Sequence, residues 1–597
     1  MGTIIATVRA GTGAPGDDKG HHVHDLVITA GRVVDGTGAA ARTADIAITD
    51  GVVTDVGRVE GAARRTIDAD GALVTPGFVD IHTHYDGQVT WDPLLTPSCW
   101  HGVTTVVMGN CGVGFAPAAP DRHEWLIGLM EGVEDIPGAA LSEGIEWNWE
   151  SFPEYLDHLD SLSLALDIGT QVPHGAVRGY VMGERGARNE PATPEDIAAM
   201  ARIVEEGIRA GALGFSTSRT LAHRAIDGEP VPGTFAAEDE LFGIGAVLGK
   251  LGTGVFELAP AGALGEDLDA PEKEVAWVRR LAAAINRPVT FILNQNNNAP
   301  DAWRDLLKRA EQAARDGVPV RPQVHARTVS LLLGLPTFHP FNWTPSWAEI
   351  GLLPVPEQAA RMSGDPEFRA RMLAEIEVAA AEDELGILTG FMNPARLYQL
   401  GDPPNYEPAL AESLANRAAV LGVSPWELVY DLMLTNGGEE LLNSPILNYS
   451  DGNLDVAYEM LAHPLTAFGL GDGGAHAGQT CDASSTTFLL THWARDRQGQ
   501  QLTVEAAVHK MTGATADLFG LGDRGRLVPG MKGDVNVIDF ERLQLHRPEL
   551  VHDLPANGKR LIQHADGYSY TINAGAVVLE DGEDTGARPG HLLRGAR

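Results

Sequence analysis

Val74-Thr75-Pro76-Gly77-Phe78-Val79-Asp80-Ile81-His82-Thr83-His84 decides the fold. A Pro-Gly turn releases a short apolar run that ends in two histidines. Side chains two apart on a strand point to the same face, so His82 and His84 project together from the strand's end. Two imidazoles at that spacing supply half of a metal site.

Seven further runs share this grammar of apolar body and polar tip: 104–112, 164–172, 212–218, 254–260, 289–295, 318–324 and 465–472. Helical stretches such as PEDIAAMARIVEEGIRAG (194–211) and PEKEVAWVRRLAAAINR (271–287) lie between most of them. Strands alternating with helices build parallel sheets, and eight such units predict a closed α/β barrel of the TIM (β/α)₈ type. Active sites in these barrels sit at the C-terminal strand ends, where the polar tips fall. About 130 residues separate the last two runs, long enough for a lid or specificity subdomain.

The two ends of the chain read differently. DLVITAGRVVDGTG, ADIAITDGVVTDVG, GRLVPGMKGDVNVIDF and YTINAGAVVLEDGEDTG are β-branched runs closed by turn residues. They predict one small composite β-sandwich built from both termini. The expected layout is a disordered leader at 1–24, the amino-terminal segment of the β-domain at 25–76, and the barrel at 77–520 with its insertion at about 333–464. The carboxy-terminal segment of the β-domain and a tail follow at 521–597.

With 44 basic against 81 acidic residues the formal charge is −37, which repels nucleic acid and anionic membranes. The opening residues lack a basic stretch followed by an apolar one, and no run approaches the roughly 18 apolar residues of a membrane span. Three cysteines in 597 residues cannot form a disulfide framework, so a reducing, cytoplasmic location is expected.

The last barrel run ends Gly469-Leu470-Gly471-Asp472-Gly473-Gly474-Ala475-His476. A carboxylate there can ligate metal or accept a proton. VTPGFVDIHTHYD, HGVTTVVMGNCGVGF, GDGGAH and DRGRLVPGMKGDVNVID together resemble the amidohydrolase superfamily, most of all its N-acyl-D-amino-acid deacylase branch. The resemblance spans about residues 25–585. It implies that His82, His84 and Asp472 are metal-site residues and that Cys111 is a thiolate ligand.

Two departures from that pattern redirect the expectation. The fifth run carries Glu257 where a histidine is expected, and the sixth reads Leu293-Asn294-Gln295-Asn296. A set of imidazole, carboxylate and amide suits a harder octahedral ion than zinc. It resembles the TIM-barrel non-heme di-iron monooxygenases typified in platensimycin and platencin biosynthesis. That resemblance implies two Fe²⁺ per chain held by His82, His84, Glu257, Asp472 and an amide of Asn294 or Gln295, with Cys111 contributing. Asp472 and Glu257 are then the catalytic pair. The implied partners are a CoA-linked diterpenoid and O₂, with a homo-oligomer allowed. The alternative expectation is a Zn²⁺ hydrolase of N-acyl-D-amino acids. Candidate substrate contacts are His174, Arg178 and Arg219, the arginines for an anionic group, together with His325. Each also has an ordinary structural reading.

Overall fold

The computed structural model describes residues 23–595 apart from Leu385, so the leader expected at 1–24 lies outside the described residues save its last two. Eight parallel strands form one sheet: Phe78–Asp80, Val103–Met108, Asp167–Pro173, Gly214–Ser218, Val255–Ala259, Val289–Ile292, Val320–Val324 and Ala467–Phe468. They are hydrogen-bonded in chain order, each within one of the eight runs named above or overlapping it. Beyond the last strand the chain closes on the first. Thr83 bridges Gly473, Asp472 N–H donates to His82 O at 3.0 Å, and His84 N–H donates to Gly473 O at 2.8 Å. The sheet is thus a TIM barrel, and its seam runs through the two segments that carry His82, His84 and Asp472.

The helices expected at 194–211 and 271–287 span Pro194–Ala210 and Ala270–Ile285. The first begins with a capping box between Thr193 and Asp196, which satisfies backbone donors that a helix start leaves unpaired. Met200, Val204 and Ile208 lie on its buried face, at the spacing a helix packed on a sheet requires.

Both termini join one nine-stranded sheet. Leu73–Pro76, which leads directly into the first barrel strand, pairs antiparallel with Val535–Ile538. Ile28, Ile46, Val74, Val535, Val537 and Ile572 share its core. The insertion has a core of its own, including Phe341, Met362, Phe368, Met372, Ile376 and Tyr430. It packs helices Val355–Gly364, Pro366–Ala381, Leu414–Leu421 and Pro425–Met433 beside a three-stranded sheet. Among the described residues no helix is long and apolar enough to cross a membrane. Cys99, Cys111 and Cys481 are free and buried.

Candidate metal centre

The alternation read from the sequence places the imidazoles of His82 and His84 side by side, ring centroids 5.4 Å apart. Thr83 between them turns away and donates its hydroxyl to Val107 O at 2.9 Å. Cys111 comes from the turn after the second strand. Its φ of 53° lies in the left-handed region, which a non-glycine residue occupies at a cost of about 1–3 kcal/mol. Gly112, at φ 71°, lets that turn lie against the fourth strand, because a Cβ there would meet Ser218 N at 2.8 Å. Asp472 and His476 are also left-handed, at φ 44° and 49°. Strained backbone therefore gathers where the polar groups converge.

The ligand atoms of His82, His84 and Cys111 all lie within 4.8 Å of one another. His82 Nε2 stands 3.4 Å from Cys111 Sγ and 3.5 Å from Asp472 Oδ1, and His84 Nε2 stands 3.8 Å from the same oxygen. Zinc ligands sit about 2.0–2.3 Å from the ion, so neighbouring corners of a tetrahedron are roughly 3.3–3.8 Å apart. The spacing fits donors that share an ion. Gln323, at the end of the seventh strand, places its Oε1 3.0 Å from His82 Nδ1, which orients the ring so that Nε2 faces the cluster.

Glu257 closes the floor. One oxygen accepts Cys111 N–H at 2.9 Å, and the other is buried with no hydrogen-bond partner. Burial raises its carboxyl to about 8. Burial also pushes the Cys111 thiol well above its ordinary value, and the charges of Glu257, Glu134 and Asp472 push it further. Asp472 is raised for the same reasons, by burial and then by Asp482, Asp80 and Glu257. Burial takes His82 down to about 4, so its imidazole is neutral and able to ligate. Neutral imidazoles beside a thiol and crowded carboxyls form a donor set whose natural counter-charge is a divalent cation.

The other expected residues are placed elsewhere. Gln295 gives its amide nitrogen to Asp451 and Pro300, and its Oε1 accepts Ser450 N–H at 3.0 Å. Asn294 Oδ1 accepts from Asn448. Both amides bind the barrel to the segment that follows the insertion's strands, so they leave the His82 cluster. His174 bonds Thr217 and Glu240 through its two ring nitrogens, and Arg178 donates to the same Glu240. Arg219 pairs with Glu274 and Ala236 O. His174 and Arg178 are fully buried and occupied by these partners, whereas Arg219 is partly exposed. His325 is buried, with Nε2 4.0 Å from Asp482. Sequence reasoning did not single out Glu134, Gln323 or His476. Gln323 and His476 stand within quoted runs, whereas nothing around Glu134 signals a site.

The profile described as the amidohydrolase family matches residues 65–579. The chain belongs to the amidohydrolase family. This amidohydrolase is 26% identical to the D-aminoacylase of Alcaligenes xylosoxydans xylosoxydans, over 95% of this chain and 97% of that one. To the N-acyl-D-glutamate deacylase of the same organism it is 27% identical, over 96% of each. A crystal structure of D-aminoacylase superposes with a TM-score of 0.63 at 24% identity, covering 96% of this chain and 100% of the other, which shows a common fold.

These matches overturn the oxygenase expectation, and with it the CoA thioester, the O₂ and the role in antibiotic biosynthesis. The full-length relatives are named for removing acyl groups from amino acids. The reason for the error is visible in the site. Glu257 and the Asn294–Gln295 pair suggested a hard, redox-type donor set. The structure takes the amides out of that set and brings a sulfur donor, Cys111, to 3.4 Å from His82.

Proposed function

We propose that this amidohydrolase is a zinc-dependent deacylase that cleaves the amide bond of N-acyl-D-amino acids. The observation that carries the reading is the convergence of His82, His84 and Cys111, whose ligand atoms lie within 4.8 Å of one another, a nitrogen and sulfur set of the kind zinc favours, with Asp472 Oδ1 3.5 and 3.8 Å from the two imidazoles. Its full-length likeness to deacylases supports the substrate class. His82, His84, Cys111 and Asp472 would hold the metal, with Glu257 bracing the Cys111 turn.

Zinc bound there supplies Lewis acidity toward an amide carbonyl and toward water. The chain's own residues do the rest. Asp472 Oδ1 faces both imidazoles, takes the proton of the attacking water and returns it to the departing amine. Gln323 fixes the His82 ring. Glu257 anchors the Cys111 turn through its backbone N–H and keeps the thiol beside His82.

The test is release of free amine from N-acetyl-D-methionine and its L-enantiomer by zinc-loaded protein, with metal content measured on the same sample. Amine release from the D-form alone is expected. Zinc-loaded protein that cleaves neither N-acyl-D- nor N-acyl-L-amino acids refutes the reading.

A further inference from the structure

Glu134 is the last residue of the helix His123–Glu134, and Asp135 caps that helix in the left-handed conformation. The helix end is docked on the loop after the eighth strand: Ala477 N–H donates to Glu134 O at 3.3 Å, and Gly478 N–H to Asp135 Oδ2 at 3.0 Å. This docking drives the Glu134 side chain into the barrel mouth, where it is 1% exposed.

As a packing residue, Glu134 is badly placed. A carboxylate at a helix C-terminus opposes the helix dipole. Neither of its oxygens has a hydrogen-bond donor of good geometry among the described residues. An apolar side chain of similar size would avoid both costs. What the carboxylate does face is two imidazoles. His84 Nδ1 lies 3.2 Å from Oε1, and His476 Nε2 lies 3.8 Å from Oε2. His84 Nδ1 has no other partner among the described residues, while its Nε2 is the nitrogen 3.8 Å from Asp472.

We propose that Glu134 is the positioning residue of the metal site: it takes the Nδ1–H of His84, so that Nε2 presents its lone pair to the ion, and it holds His476 at the mouth. The inference rests on reading His82, His84, Cys111 and Asp472 as metal ligands. A carboxylate behind a ligating histidine fixes both tautomer and ring orientation and strengthens the donor. Gln323 Oε1 does the same for His82 from the opposite side of the barrel seam. The two histidines of the His-Thr-His segment are therefore oriented by different elements, one from the seventh strand and one from the helix after the second.

The experiment measures zinc affinity of wild type, Glu134→Gln and Glu134→Asp by competition with a chromophoric chelator, alongside melting of the metal-free proteins. Glu134→Gln should weaken zinc binding about ten- to a hundredfold, with metal-free melting unchanged or raised because a buried, unpartnered carboxyl has gone. Glu134→Asp keeps the carboxyl but draws it back by one methylene, so its affinity should fall between the two. The visible spectrum of cobalt-substituted Glu134→Gln should shift from that of wild type. Unchanged zinc affinity in Glu134→Gln overturns the proposal, as does a lowered metal-free melting temperature without an affinity change. Should Glu134→Gln fail to fold, wild-type affinity in Glu134→Asp overturns it instead. A wild-type protein that binds no zinc overturns the metal reading together with this one. Amine release is not a readout here, so failure of the deacylase reading is seen separately.

Discussion

Asp472→Asn tests the proton-transfer role proposed for Asp472. The substitution keeps the side chain's size and removes its charge and its basicity. Oδ1 stands 3.5 Å from His82 Nε2 and 3.8 Å from His84 Nε2, so the replacement sits among the same neighbours. The residue is mostly buried, with 19% of its side chain exposed, and no other carboxylate approaches both imidazoles among the described residues. A positioned acid or base contributes about 10²–10⁴-fold to rate, which at 1.36 kcal/mol per tenfold is about 3–5 kcal/mol of barrier. The expected outcome is a fall in kcat of at least about a hundredfold on the best N-acyl-D-amino acid. KM should change much less, because the lost interaction belongs to the transition state. Amine release gives the rates, and zinc content on the same samples separates lost chemistry from lost metal. A variant that binds zinc as wild type does and keeps more than a tenth of wild-type kcat refutes the assignment of Asp472.

Cys111→Ala removes the sulfur donor 3.4 Å from His82 Nε2. Outer partners alone are worth about ten- to a hundredfold in metal affinity, so loss of a direct donor should weaken zinc at least about tenfold; wild-type affinity by equilibrium dialysis would exclude the thiol as a ligand. Glu240 gives a pH prediction. Burial opposes its charge, but His174 and Arg178 overcome this and hold it at about 2. A depressed carboxyl stabilises the fold above its unfolded value near 4.5 and loses that contribution as pH falls through about 2. The difference in unfolding midpoint between wild type and Glu240→Gln should therefore shrink from pH 4.5 to pH 2. A constant difference across that range would sink the assignment.

The barrel was legible because its signals are local. Eight apolar runs with polar tips each report a strand by themselves, and the His-Thr-His segment reports its own facing. The composite β-domain was legible because the same turn grammar recurs at both ends. Contacts made across the chain were not. His174 and Arg178 look free in sequence, but Glu240, 66 and 62 residues away, occupies both. Gln295 looks like a ligand until Ser450 and Asp451 take its amide. Glu134 stands in an unremarked helix end and enters the mouth only because that helix docks on residues 477–478. The oxygenase expectation failed at this level, since it inferred a donor set from residue types before their partners were known.

The pairing of Leu73–Pro76 with Val535–Ile538 has a consequence for synthesis. The strand that aims the histidine segment is zipped along one edge by residues the ribosome makes late. At about 5–20 residues per second, Val535 emerges roughly 20–90 s after Pro76. Until then the nascent amino-terminal ribbon has an open, apolar edge, the kind of surface that invites chaperones or self-association. A chain stopped shortly before residue 535 keeps every side chain of the candidate metal site yet lacks the clasp that sets the first of them in place.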